Sequence, residues 1–171
     1  EACQTAKAFM KLLMPSHVKR IKPWPAGNSP LFRHYKVEDQ LDAMHGSDVQ
    51  LKSGDYSIDW KQVKKVVTRH TKMILINSPQ NPTGAVITAK DIQELIKITK
   101  DNDIMILSDE VYEHIVFDGE RHLSMAGYPE LANRSLIVYS FGKSFHVTGW
   151  KPGYIVGPKN LMHEFRKVHQ F

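Results

Sequence analysis

Apolar and polar positions alternate in two periods along most of this chain, and the switch between them marks its elements. In "DYSIDWKQVKKVVTRH", Ile58, Val63, Val66 and Val67 recur at near-helical spacing, which predicts an amphipathic helix. "KMILIN" (residues 72–77) is a short apolar strand. In "TAKDIQELIKITKDND", Ile92, Leu95, Ile96 and Thr99 share one face, and Thr88 stands where a helix N-cap belongs. "IMIL" (104–107) and "SLIVYS" (135–140) are continuous apolar runs of the kind a parallel sheet covers on both faces. "GYIVG" (153–157) is a fourth strand candidate, and "NLMHEFRKVHQF" predicts a closing helix.

Strands separated by helical segments of this length predict an α/β fold with a mostly parallel sheet and flanking helices. The front of the chain is less regular. Residues 1–14 have a helical composition stopped by Pro15, and "KPWPAGNSP" (22–30), with three prolines and a glycine, predicts an extended loop or linker. At 171 residues, one domain is the default.

In a sheet of this kind ligands gather beyond the carboxyl ends of the strands. There "KMILIN" runs into "SPQNPTG", "IMIL" into "SDEVY" and "SLIVY" into "SFGK", so Asn81, Asp109, Tyr112, Ser140 and Lys143 are brought toward one edge. Taken singly, "NPTG" is an ordinary turn, Asp109 a helix-start carboxylate and Lys143 a surface amine. Together they suggest a site. Lys143, between a glycine and a serine, raises the possibility of a nucleotide-phosphate loop, but that motif needs a glycine five residues before Gly142, and Ile137 stands there. The other chemistry open to a lysine amine is attack on a carbonyl to form a Schiff base. A carboxylate such as Asp109 would keep a pyridine nitrogen protonated so that the ring accepts electrons, and Asn81 and Tyr112 would hydrogen-bond a phenolate oxygen.

Composition narrows the alternatives. Hydrophobic residues make up 42% and charged residues 24%, and no apolar run is long enough to span a membrane. The first residues do not have the pattern of a secretory signal, and Cys3 is the only cysteine, so a cytoplasmic location is expected. The net charge of +5 is scattered apart from "HVKRIK", without the basic stripe that nucleic-acid binding requires. His114, His146, His163 and His169 are not spaced as a metal-ligand set, so no metal is expected. Trp150 and Tyr154 are either pocket walls or core filling.

In this order and spacing, "NSPQNPTG", "SDEVYEHIVFDG" and "SFGKSFHVTGWKPGY" resemble the pyridoxal-phosphate aminotransferases of fold type I (class I/II). The third motif is most similar to the branch containing the methionine and kynurenine (glutamine-type) aminotransferases. The resemblance covers residues 72–171 and implies that they form part of an α/β/α large domain that binds pyridoxal 5'-phosphate. It implies further that Lys143 forms the internal aldimine, Asp109 pairs with the pyridinium nitrogen, and Asn81 and Tyr112 contact the phenolate oxygen. Ser140 would bind the phosphate, as would Lys151, which falls where many relatives carry arginine. The implied reaction is transamination between an L-amino acid and a 2-oxo acid in a ping-pong cycle, with Lys143 as anchor and general base. Relatives of this kind are homodimers.

The resemblance also implies departures. Family members usually run to more than twice this length, so the chain is expected to be a fragment lacking the small domain and its carboxylate-binding arginine. Residues 1–46 are expected to be an irregular, non-matching segment, and residues 47–171 a portion of the cofactor domain. Two other readings stay open: a carbon–sulfur lyase or decarboxylase on the same cofactor, and a catalytically incompetent fragment acting as a binding or scaffold protein.

Overall fold

The computed structural model describes residues 49–169. The helix expected over 1–14 and the irregular segment over 1–46, with its loop at 22–30, lie outside them. Of the two compact units into which the chain divides, Val49–His163 holds the whole sheet.

Helix α1 (Trp60–Val66) starts because the Asp59 carboxylate accepts from the Lys61 and Gln62 amides, at 2.9 and 3.2 Å. It stops one residue before the hydrophobic pattern does, since Val67 is already extended. Strand β1 (Met73–Asn77) follows, then helix α2 (Ala89–Thr99). Thr88 caps α2 as its position predicts, with a reciprocal capping box. The Thr88 hydroxyl accepts from the Asp91 amide at 3.2 Å, and the Asp91 carboxylate accepts from the Thr88 amide at 2.8 Å. The other carboxylate oxygen of Asp91 accepts from the Trp60 indole at 2.6 Å, tying α1 to α2.

Strand β2 (Met105–Asp109) leads through a single 3₁₀ turn (Met125–Gly127) and the short helix α3 (Pro129–Ala132) into β3 (Ser135–Ser140). A short helix α4 (Phe141–Ser144) and a second 3₁₀ turn (Thr148–Trp150) connect to β4 (Gly153–Val156). Helix α5 (Lys159–His169) follows. The strands lie in the order β1-β2-β3-β4; the first three are parallel and β4 is antiparallel to β3. The α/β class and all four strands agree with the sequence reading.

The core lies on one face of the sheet. Ile106, Ile137 and Tyr139 from the strands cluster there with Ile92 and Leu95 of α2, Met125 and Leu131, with Ile58, Trp60, Ile74 and Ile76 packed around them. Ile92 and Leu95 are fully buried, each worth about 1.5–3 kcal/mol of transfer free energy. The expectation that the apolar runs are covered on both faces holds only for the central strands: Leu75 of β1 is 64% exposed. The helices α1, α2 and α3 all contribute to the cluster on the Ile74 and Ile76 face, and Leu75 alternates to the other.

Candidate active site

The register puts the polar strand ends side by side. Asn77 pairs with Asp109, and Asp109 with Val138, two residues before Ser140. Because β4 runs the opposite way, its first residue, Gly153, pairs with Ser140, which returns the chain to the same edge two residues after Lys151. All six residues singled out from the sequence therefore lie at or next to one edge.

Asn81 and Lys143 each approach Tyr112 there. The Asn81 side-chain amide donates to the Tyr112 hydroxyl at 3.2 Å, and Lys143 Nζ sits 5.5 Å from the centre of the Tyr112 ring. The turn bearing Asn81 is fixed from below: Asn77 accepts from the Asn81 amide at 2.9 Å and donates to the Asp109 carbonyl at 3.1 Å. Ser78 adds a backbone bond to the same carbonyl, also at 3.1 Å. Asn77 thus bridges the ends of β1 and β2. Sequence reasoning had passed over it, although an amide side chain ending an apolar strand is the available signal.

Asp109 is half-buried at the end of β2. Burial pushes its carboxyl above the ordinary range, a hydrogen bond from the Val111 amide opposes this, and the negative charge of Glu110 adds to the rise. A carboxylate in that setting has much to gain from a cationic or proton-donating partner.

Lys143 is exposed on α4, and its loop is folded back tightly. Gly142 is buried where an added Cβ would stand 3.2 Å from the Thr148 Cα and 3.3 Å from the Ser140 hydroxyl, and the Thr148 hydroxyl donates to the Gly142 carbonyl at 3.2 Å. Ser140 immediately precedes α4 but makes no side-chain capping bond to it. Lys151 is exposed and left-handed, with φ 55°, at the end of the second 3₁₀ turn. Trp150 is 80% exposed and so fills no core volume, whereas Tyr154 stacks on Tyr139 with ring centres 4.7 Å apart.

A second constellation lies behind this edge and was not singled out from the sequence. Along β2 and just beyond it, Ile104, Ile106, Ser108 and Glu110 occupy one buried face, opposite to Asp109. Glu110 is 1% exposed and accepts four hydrogen bonds. Ser108 Oγ and the Met125 amide donate to Oε1 at 2.9 and 3.0 Å. The Tyr139 hydroxyl and His122 Nε2 both meet Oε2 at 2.9 Å. A carboxylate that continues the buried face of a strand is the sequence signal for such a hub.

The donor set at the edge suits pyridoxal phosphate: a lysine amine, a carboxylate of raised proton affinity, and an amide and a phenol side by side. Comparison with known proteins bears on the stretch of chain that carries these residues. The model of the family "Aminotransferase class I and II" matches residues 29–171. Kynurenine–oxoglutarate transaminase 1 of Mus musculus is 36% identical over 145 residues, 85% of this chain and 33% of that protein. The methionine aminotransferase of Escherichia coli is 39% identical over 116 residues, 68% of this chain and 30% of that protein. Among solved structures, YbdL from Escherichia coli, reported with a methionine aminotransferase function, superposes with a TM-score of 0.71 at 36% identity, over 80% of this chain and 37% of that one. The chain thus spans about a third of the length of the curated relatives it matches.

Proposed function

Since the chain belongs to the class I and II aminotransferases, we propose that residues 47–171 are part of a cofactor-binding domain for pyridoxal phosphate. On this reading the whole protein transfers an amino group from an L-amino acid to a 2-oxo acid. The observation that carries the reading is the contact of Asn81 with Tyr112 at 3.2 Å, with Lys143 above the same ring, beside the strand end that presents Asp109.

When bound, the cofactor supplies a carbonyl for covalent capture of amines and a ring that accepts the electron pair left at the substrate α-carbon. Each residue then has a defined task. The Lys143 amine would hold the carbonyl covalently and, when free, would act as the base for the substrate α-proton. Asp109 holds a proton on the ring nitrogen, which its buried position favours. Asn81 and Tyr112 donate to the phenolate oxygen, and their mutual hydrogen bond keeps both aimed at one point. Ser140, spared from capping α4, and Lys151, two residues before the Gly153 that pairs with Ser140, would bind the phosphate. Lysine there supplies charge without arginine's two-pronged geometry.

The named relatives support methionine or kynurenine-like amino acids as substrates; aromatic substrates and a homodimeric working form belong to the same proposal through the family resemblance alone. The relatives also weigh against the lyase reading, because those compared above are named as aminotransferases or transaminases. The test is spectroscopic. The purified chain mixed with pyridoxal phosphate is expected to develop a visible absorption band that sodium borohydride traps as a covalent adduct on Lys143. Lys143→Ala is expected to lose both, and a band of equal strength in that variant overturns the reading.

A further inference from the structure

The buried hub around Glu110 has no task in the chemistry just described, yet it lies one residue from Asp109. Its protonation can be worked out from its hydrogen bonds. Oε1 receives the Ser108 hydroxyl and the Met125 amide, and Oε2 receives the Tyr139 hydroxyl and His122 Nε2. Four donors saturate an ionised carboxylate and leave no acceptor for a proton on Glu110 itself. His122 is nearly buried, and its Nδ1 has no hydrogen-bond partner among the described residues. Nε2, 2.9 Å from Oε2, is the ring nitrogen that serves Glu110. Burial and the Glu110 charge hold the Tyr139 hydroxyl protonated, and it shares a 3.1 Å contact with the Ser124 hydroxyl. The cluster is therefore built around one ionised carboxylate that four groups hold in place.

We propose that Glu110 is a positioning residue of the site: a permanently ionised, buried carboxylate that ties the ends of β2 and β3 to the Met125–Gly127 turn and, through its charge, makes Asp109 a stronger proton holder for the cofactor's ring nitrogen. The second half rests on the reading of Asp109 given above. The tie is structural and direct, since the four donors come from β2, β3, the first 3₁₀ turn and the loop before it. The field acts through alternation: adjacent residues at a strand end point to opposite faces, so Glu110 is buried in the core while Asp109, its neighbour in sequence, faces the other way. Tyr139 from β3 is neutral, Tyr154 from β4 feels both Glu110 and Glu113 as negative charges, and Glu113 adds to the same sign.

Direct titration tests this without the cofactor. Carboxyl carbons of the full 171-residue chain are followed by NMR between pH 3 and 9, in the wild type and in Glu110→Gln. Glu110 is expected to titrate below the ordinary glutamate range and Asp109 above the ordinary aspartate range. In Glu110→Gln the Asp109 midpoint is expected to fall, because the like charge that adds to its rise is gone. An unchanged Asp109 midpoint in a folded Glu110→Gln overturns the proposal. Should that variant not fold, the wild type still decides through Glu110 itself: a midpoint below the ordinary glutamate range agrees, and one at or above that range overturns the proposal. Failure of the cofactor reading shows separately, as a visible band that survives Lys143→Ala, and leaves the titration as it was found.

Discussion

Replacing Gly153 with alanine tests whether the β3–β4 pairing holds the site edge together. A Cβ built there would lie 2.6 Å from the Tyr139 carbonyl oxygen, about 0.8 Å short of the 3.4 Å at which ordinary contact begins. The obstacle is backbone in the middle of a ladder and cannot swing aside, so the start of β4 must lift away from Ser140. Forcing a methyl into a packed contact costs about 1–3 kcal/mol. Alanine returns about 0.4–1 kcal/mol by restricting the unfolded chain, leaving a net loss of about 1–2 kcal/mol. For a domain of this size that corresponds to a fall in melting temperature of roughly 3–10 °C. Gly149→Ala is the matched control: it lies in the same connection, and an added Cβ there meets nothing within 4 Å. Thermal unfolding followed by circular dichroism compares the two. Equal melting temperatures would refute the argument that close backbone approach selects glycine at 153.

Burial makes two further predictions concrete. Ile92→Ala, at a position with no exposed surface, is expected to lose about 2–5 kcal/mol in urea unfolding, whereas Leu75→Ala, 64% exposed, stays within about 1 kcal/mol of wild type; comparable losses would contradict the one-sided core. Glu94 is held between Lys64 at 2.5 Å and Lys97 at 2.8 Å, and those hydrogen bonds lower its carboxyl to about 2. Its contribution to stability is therefore complete above the ordinary value of 4.5 and disappears as pH falls through about 2; an NMR midpoint near 4.5 would show that the pairs do not form in solution.

The strands and the first two helices were legible because each is encoded locally. An unbroken apolar run such as "SLIVYS" has few alternatives to a strand, and Thr88 three residues before Asp91 is a helix start whose chemistry is contained in four residues. The direction of β4 was not legible, since "GYIVG" pairs equally well either way until the length and course of the preceding connection are known. The sequence placed Asn81, Asp109, Tyr112, Ser140 and Lys143 at strand ends, and the register brings those ends together. The Glu110 hub escaped notice for a physical reason. Its partners lie 12, 15 and 29 residues away, and nothing in the local pattern says that His122, Met125 and Tyr139 converge on one carboxylate. A polar residue in phase with Ile104 and Ile106 was the one local hint.

The antiparallel return of β4 has a consequence for how the lysine-bearing loop comes to be ordered. Had the sheet continued in parallel, the chain would first have to run back along the sheet to the far end of β3, most often as a helix, before it could pair beside that strand. Here residues 141–152 alone separate Ser140 from its partner Gly153, so the ring they close is small and its entropic cost modest. Such a closure can form without waiting for distant segments, and it clamps both ends of the loop to one strand pair. Lys143 is then restrained by its own neighbours in sequence, and the reactive amine is presented on a frame whose geometry is settled by a hairpin-like stretch shorter than many single helices.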